Sequence, residues 1–475
     1  MPSIASPVLH EDDGLAAGSL SPFEVLAQSV SGIAPSAAAS AGTVLVATTA
    51  GGAVVYSFIA STIVLMLVGW CINKFVALKG AGTLMDYIAI TFGPGAGFVG
   101  SIGLAFGYVL IADAALAGLV LYTAPLLGLV GIPTGGKVVA LLVIATATIV
   151  ATIAMIRGVE LSTRAGVILE AVSITLLVVL LAIVVLHTGF HSAPFHLPGT
   201  TAGSTATGMV LAILSYVGFE SAACMGTEAR DAAHSIPRAV VLSVVIAGAL
   251  YIVSSYVQLD GFGGTDRLLA SAAPLNDLAD GARVHFMGYV MDIGICASFF
   301  ACVTGSLNAA SRLLHAMGQQ QLLHGAIGVA HPRHRTPHLA IYLLAAVTFL
   351  VPAVMTLAGT DAITIYALVG TIGTYGYMFC YLLVAIACPI MVWRAGKNAV
   401  PALAIGGPAA AGLLYVAYHS LYPVPPAPYK WLPWEFLAVL LVAAVWYAAR
   451  GRLSHHEYRT QGAPTTASKY VPVDI

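Results

Sequence analysis

Three carboxylates stand in stretches where almost nothing else is charged: Glu220, Glu170 and Asp113. An ionised side chain in a bilayer interior costs about 2.5–3.5 kcal/mol on insertion scales, so each marks a functional position by default. No Lys or Arg lies within the apolar run around Glu220. With no cation to pair it, taking up a proton is the least costly way to neutralise it. The chemistry expected of these groups is proton carriage, with Glu220 first, then Glu170 and Asp113. Asp292, nearer a helix start, is expected to be solvated at an interface. Thr304 and Ser306 offer hydroxyls to a sodium ion, although hydroxyls in membrane helices commonly bond their own backbone.

Glu220 sits in an interruption. Tyr216-Val217-Gly218-Phe219-Glu220-Ser221 breaks one apolar run, and Ser31-Gly32-Ile33-Ala34-Pro35-Ser36 breaks another. Pro35 removes an amide donor and clashes with the preceding turn, and glycine lowers helix propensity. A broken membrane helix frees N–H groups that attract a carboxylate and C=O groups that attract an ammonium. A zwitterionic amino acid carries both. The main-chain groups and side chains of Ser31, Gly32, Ile33, Ala34, Ser36, Tyr216, Gly218, Phe219 and Ser221 are therefore the expected substrate site.

Such breaks need long apolar elements around them. Of 475 residues, 59% are hydrophobic and 8% charged, against about 25% charged in soluble domains; mean hydropathy is +0.93. Twelve spans follow, near 24–48, 53–73, 96–124, 136–155, 165–187, 205–227, 238–259, 285–312, 339–358, 362–392, 399–421 and 434–449. In lipid these must be helices, because the backbone has no water to bond. The fold class is an all-α membrane protein. Five helices separate the starts of the two broken ones, the pattern of an inverted 5+5 repeat whose discontinuous helices meet at the midplane. The repeats run over about 23–188 and 204–392, with two extra helices at 399–450, and with tails at 1–22 and 451–475.

The charges orient the chain. Placing both termini in the cytoplasm puts fifteen of the nineteen Lys and Arg inside, and only Lys137, Arg267, Arg283 and Lys430 outside. The loop at 260–284 then faces out and that at 313–338 faces in. The inner loop holds His315, His324, His331, His334 and His338, whose irregular spacing and basic neighbours suit a solvated loop rather than a metal site. The tail beyond Arg450 is polar and expected to be disordered. The first twenty residues carry acids and no Lys or Arg, unlike a cleavable signal.

Other functions find little support. A net charge of −1 gives no nucleic-acid footprint. The six cysteines form no CxxC and read as small apolar residues. Gly95–Gly100 fits a dinucleotide motif and Gly131–Lys137 nearly fits a phosphate loop, yet neither has the strand-to-helix context that such motifs need. No nucleophile–base pair suggests an enzyme, and no cofactor is expected.

Gly218-Phe219-Glu220-Ser221-Ala222, Glu228-Ala229-Arg230-Asp231 and Ile236-Pro237-Arg238-Ala239 together resemble the amino acid–polyamine–organocation permease superfamily. Gly80-Ala81-Gly82, Phe92-Gly93-Pro94, Ser306 to Arg312 and His331-Pro332-Arg333 extend the resemblance over most of the chain. It implies a leucine-transporter-like fold, alternating access, and substrate held by broken helices 1 and 6 with Phe219 as a side gate. It also implies a proton-responsive glutamate at Glu220. Some proton-coupled relatives place a lysine in helix 5 where Ser173 stands here. The implied function is secondary active transport of amino acids across the cytoplasmic membrane, linked to protons. The implied partners are a small-molecule substrate, membrane lipid and a proton, with the oligomeric state left open. A permease for polyamines or other organic cations, and a sodium-coupled symporter, remain as alternatives.

Overall fold

The computed structural model describes residues 14–80, 82–132, 136–271 and 273–460, the last ten as backbone only. The helices in chain order are α1 (Pro22–Ile33), α2 (Pro35–Ala37), α3 (Thr43–Ala50), α4 (Val54–Lys79), α5 (Leu84–Phe92), α6 (Pro94–Leu129), α7 (Lys137–Arg157), α8 (Val159–Thr188) and α9 (Ala202–Leu214). They continue with α10 (Ala232–Phe262), α11 (Thr265–Ala270), α12 (Pro274–Gly281), α13 (His285–Gln319), α14 (His338–Ala358), α15 (Ala362–Arg394), α16 (Val400–His419) and α17 (Leu432–Thr460). A π-helical segment, Ala38–Gly42, joins α2 to α3.

Ten helical stretches among the described residues are long and apolar enough to cross a membrane. They hold eleven of the twelve sequence spans, and the sixth is too short to be among them. The first, Pro22–Lys79, has 58 residues, roughly 87 Å of helix against a hydrocarbon core of about 30 Å. It holds two crossings. Gly51, at φ +54°, leaves the helical region, and a 3₁₀ turn over Gly51–Ala53 reverses the chain. As a result α3 and α4 both pack on α9. The sixth crossing is α9 together with a separate 3₁₀ segment, Ser221–Met225, and α9 alone is too short to span.

The core of the bundle is α6 laid against α15 and α13. Glycines let the backbones touch: a Cβ on Gly376 would lie 2.2 Å from the Gly103 carbonyl oxygen, and one on Gly107 would lie 2.9 Å from that of Gly373. Small residues of this kind permit tight helix packing in lipid. The dinucleotide-like glycines do the same work. A Cβ on Gly97 would meet Ala89 at 2.7 Å, so the motif seats α5 on α6.

Several expectations need correction. The 260–284 stretch contains α11 and α12 instead of a plain loop. Asp292 is buried, and one carboxyl oxygen accepts from Asn276 Nδ2 of α12 at 2.9 Å. Interfacial solvation is therefore replaced by a bond to a helix that caps α13. His315 lies inside α13 and is buried, because that helix runs seven residues beyond its expected end. The tail is helical as far as Thr460, while 1–13 and 461–475 lie outside the described residues, as does part of the phosphate-loop-like segment, 133–135.

Candidate substrate cavity and buried carboxylates

Five helices, α6, α10, α14, α15 and α16, contain an internal proline and remain helical through it. Pro35 marks a true break because Ala34, before it, takes the left-handed conformation (φ 50°, ψ 61°). A non-glycine residue held there is strained by about 1–3 kcal/mol and is a frequent mark of function. The Ala34 amide bonds back to Val30 and Ser31 at 3.2 Å. The turn carries the Ser36 amide away from the Gly32 carbonyl, which is its partner in a continuous helix. The thiol of Cys302 on α13 donates to that carbonyl instead, at 3.3 Å.

In the second break the chain turns through Ser215–Glu220, with Gly218 at φ +100°. The two breaks meet backbone to backbone. A Cβ on Gly218 would sit 2.8 Å from the carbonyl carbon and oxygen of Gly32, and one on Gly305 of α13 would sit 2.9 Å from the Gly32 nitrogen. Side chains lace this seam. Ser29 Oγ donates to Phe219 O at 2.7 Å, Ser221 Oγ to Gln28 O at 3.2 Å, and Gln28 Nε2 to Gly305 O at 2.8 Å.

A cavity of about 30 Å³ lies beside the seam, room for one or two water molecules. Gly32, Ile33, Ala34 and Ala38 form one wall, Ile111, Ala114 and Ala115 of α6 the second, and Leu214 and Val217 the third. Phe299 and Cys302 of α13, with Tyr366 of α15, close it. Phe299 is seated by Gly118, where any Cβ would lie 2.3 Å from the ring. It meets Tyr366 edge to face at 5.9 Å.

Of the substrate-site residues expected from the sequence, Gly32, Ile33 and Ala34 line this cavity and Gly218 supports it from behind. Ser31 faces Gly166 of α8. Ser36 turns to the Glu170 cluster described below. Tyr216 bonds Thr62 and Phe58 through its hydroxyl and packs on Tyr251. Phe219 packs its ring on Tyr381 at 5.1 Å and does not line the cavity. The rest of the wall, Phe299, Tyr366, Cys302 and the α6 residues, carries no motif. Its sequence signal is the alanine-rich stretch Ala112 to Ala117, whose Ala114 and Ala115 leave space.

The carboxylates are placed apart. Glu220 is fully buried and accepts from Tyr108 of α6 at 2.6 Å and from Tyr381 of α15. Tyr377 packs edge-on against Tyr108 at 5.0 Å, with its hydroxyl facing Ser306 of α13. Glu170 of α8 accepts from Ser298 at 2.6 Å and Ser36 at 3.3 Å, and Ser36 also meets Ser173 at 2.5 Å. Ser173 thus hydrogen-bonds the broken helix itself. Asp113 is buried, with the Thr348 hydroxyl of α14 facing its carboxyl group. Thr304 bonds its own helix at Ala301, and Ser306 stands 3.8 Å from the Cys302 sulfur. Among the described residues no cluster of three His, Cys, Asp or Glu could hold a metal.

Comparison with known proteins decides what kind of molecule this is. The family described as amino acid permease matches residues 20–449, which is nearly the whole chain. The chain belongs to that family. This permease is 25% identical to the branched-chain amino acid permease BcaP of Lactococcus lactis over 64% of its own length and 69% of the relative's. It is 21% identical to BcaP of Bacillus subtilis, with 46% of each chain covered. It is also 27% identical to the low-affinity putrescine importer PlaP of Escherichia coli K12, over 30% of this chain and 32% of that one. The matched stretches thus span about half of the Bacillus relative and a third of the Escherichia one.

Proposed function

We propose that this permease carries neutral, apolar amino acids across a cell membrane by alternating access, linked to proton movement. The apolar cavity beside two broken helices carries this reading. Its main-chain wall offers the Gly32 carbonyl, freed by the break, to the ammonium of a zwitterion, and the remaining walls offer an apolar side chain nothing but hydrocarbon, a thiol and a phenol. A diamine or a cationic side chain needs opposing carboxylates, and Glu220, Glu170 and Asp113 are all absent from the lining. The branched-chain substrate in the name of two relatives agrees with the walls better than the putrescine named for a third.

The cavity as it stands is too small for leucine, so this is a closed conformation and the broken helices must part to admit substrate. The inverted repeats are 23–188 and 204–392, and pivoting of one against the other provides that motion. Both termini lie in the cytoplasm, following the distribution of Lys and Arg. Glu220 is the proton carrier. Tyr108 and Tyr381 hydroxyls can donate to the ionised carboxylate or accept from the neutral acid, so either state is bonded.

Uptake of radiolabelled L-leucine into liposomes containing the purified permease tests the reading. Excess L-valine and L-isoleucine are expected to compete, and L-arginine and putrescine are not. Uptake is expected to rise when the outside is made more acid than the inside. Glu220→Gln, fixed in the neutral form, retains leucine exchange and loses that stimulation. Uptake of arginine or putrescine without leucine would refute the substrate class. An unchanged response to the pH gradient in Glu220→Gln would remove Glu220 as the carrier.

A further inference from the structure

The Gly32 carbonyl is one of the groups a substrate ammonium would seek, and in this closed conformation it is already taken. Cys302 lines the cavity, is buried, and donates its thiol hydrogen to that oxygen at 3.3 Å. We propose that the Cys302 thiol is a place-holder that satisfies the Gly32 carbonyl while the site is empty and yields it to the α-ammonium group of the arriving substrate. This rests on the reading that a zwitterionic amino acid binds in this cavity.

A buried carbonyl without a donor costs free energy, so the broken helix needs a partner in the empty state. That partner must also be easy to displace. A thiol is the weakest donor among the polar side chains. A charge-assisted bond from an ammonium is about twice as strong as a neutral one. The exchange is therefore downhill at the carbonyl. It leaves little unmet on the sulfur side, because Ser306 Oγ, one turn along α13, stands 3.8 Å from the Cys302 sulfur. A serine at 302 would hold the carbonyl more firmly and compete with the substrate. An alanine would leave it open. The backbone of α13 is fixed at this level by Gly305, which packs on Gly32, so the helix holds residue 302 beside the break.

The test uses the full-length permease in liposomes and measures the L-leucine dissociation constant for the parent, Cys302→Ala and Cys302→Ser. It also measures the rate at which N-ethylmaleimide alkylates Cys302, followed by mass spectrometry of the peptide, with and without saturating L-leucine. Cys302→Ser is expected to bind leucine about fivefold more weakly, the scale of one neutral hydrogen bond. Cys302→Ala is expected to bind as tightly as the parent or more tightly, and leucine is expected to slow alkylation. Loss of binding in Cys302→Ala with recovery in Cys302→Ser would overturn the proposal, since the side chain would then be a ligand. Equal binding by all three, with alkylation indifferent to leucine, would overturn it as well. A parent that binds no neutral amino acid would refute the functional reading itself, and the place-holder role would fall with it.

Discussion

Gly218→Ala is expected to abolish leucine binding, although it adds a single methyl group. Two costs fall together. Gly218 sits at φ +100°, a conformation that L side chains rarely adopt, and forcing one there costs about 1–3 kcal/mol. The added Cβ would also lie 2.8 Å from the carbonyl group of Gly32. Its neighbour is main chain, which cannot swing aside, so the two breaks must separate. The main-chain groups proposed to recognise a zwitterion then lose their relative positions. Gly199→Ala is the control. Gly199 has φ +80° and nothing within 4 Å of the built Cβ, so it reports backbone strain without the collision. It is expected to lower thermal stability modestly and to bind leucine as the parent does. Binding by Gly218→Ala equal to that of Gly199→Ala would show that the breaks need not touch.

Arg312→Met is expected to be the most destabilising change away from the cavity. Arg312 of α13 grips Glu228 in a bidentate pair, with Nη2 to Oε1 at 2.9 Å and Nε to the other oxygen. It also bonds the Asn308 carbonyl at 3.0 Å, and both charged side chains are almost completely buried. Removing one partner of such a pair leaves a buried uncompensated charge and costs about 3–5 kcal/mol. The effect spreads, because the Glu228 carbonyl accepts the Leu20 amide at 2.8 Å and so ties the segment before α1 to the end of the sixth crossing. Replacing both charges, as Arg312→Met with Glu228→Met, is expected to recover most of the loss, since an apolar pair of similar volume strands neither a charge nor a polar group. Thermal unfolding followed by size-exclusion chromatography reads both. A single variant as stable as the parent would show that the pair is not a clamp.

Both breaks were legible because each has a local cause. Pro35 lacks an amide and Gly218 tolerates positive φ, and neither fact depends on distant residues. The crossings were legible for a similar reason, since hydrophobic runs of this length have no other use. Partners were not legible. Glu220 finds Tyr108 and Tyr381, more than a hundred residues away on either side, and nothing in an apolar helix distinguishes those tyrosines from packing residues. The resemblance makes Phe219 a side gate; the turn at Gly218 puts its ring on Tyr381, and the aromatic wall of the cavity is Phe299 and Tyr366, which lie in no motif. The chain turns polar after Arg312, which reads as a loop at His315. Burial of Arg312 and His315 against neighbouring segments lets α13 continue, a tertiary effect that local polarity hides.

In the proposed function a neutral amino acid lodges between the two breaks and α6. Ala115 of α6 lines that cavity and is buried, and Ala115→Leu would fill it, at an overpacking cost of about 1–3 kcal/mol that a folded bundle can bear. Equilibrium binding of L-leucine to the parent and to Ala115→Leu, each shown to be folded by its chromatographic profile, is the most direct measurement. The parent is expected to bind and Ala115→Leu to bind no leucine. Parent-like affinity in folded Ala115→Leu would place the substrate elsewhere and contradict the account.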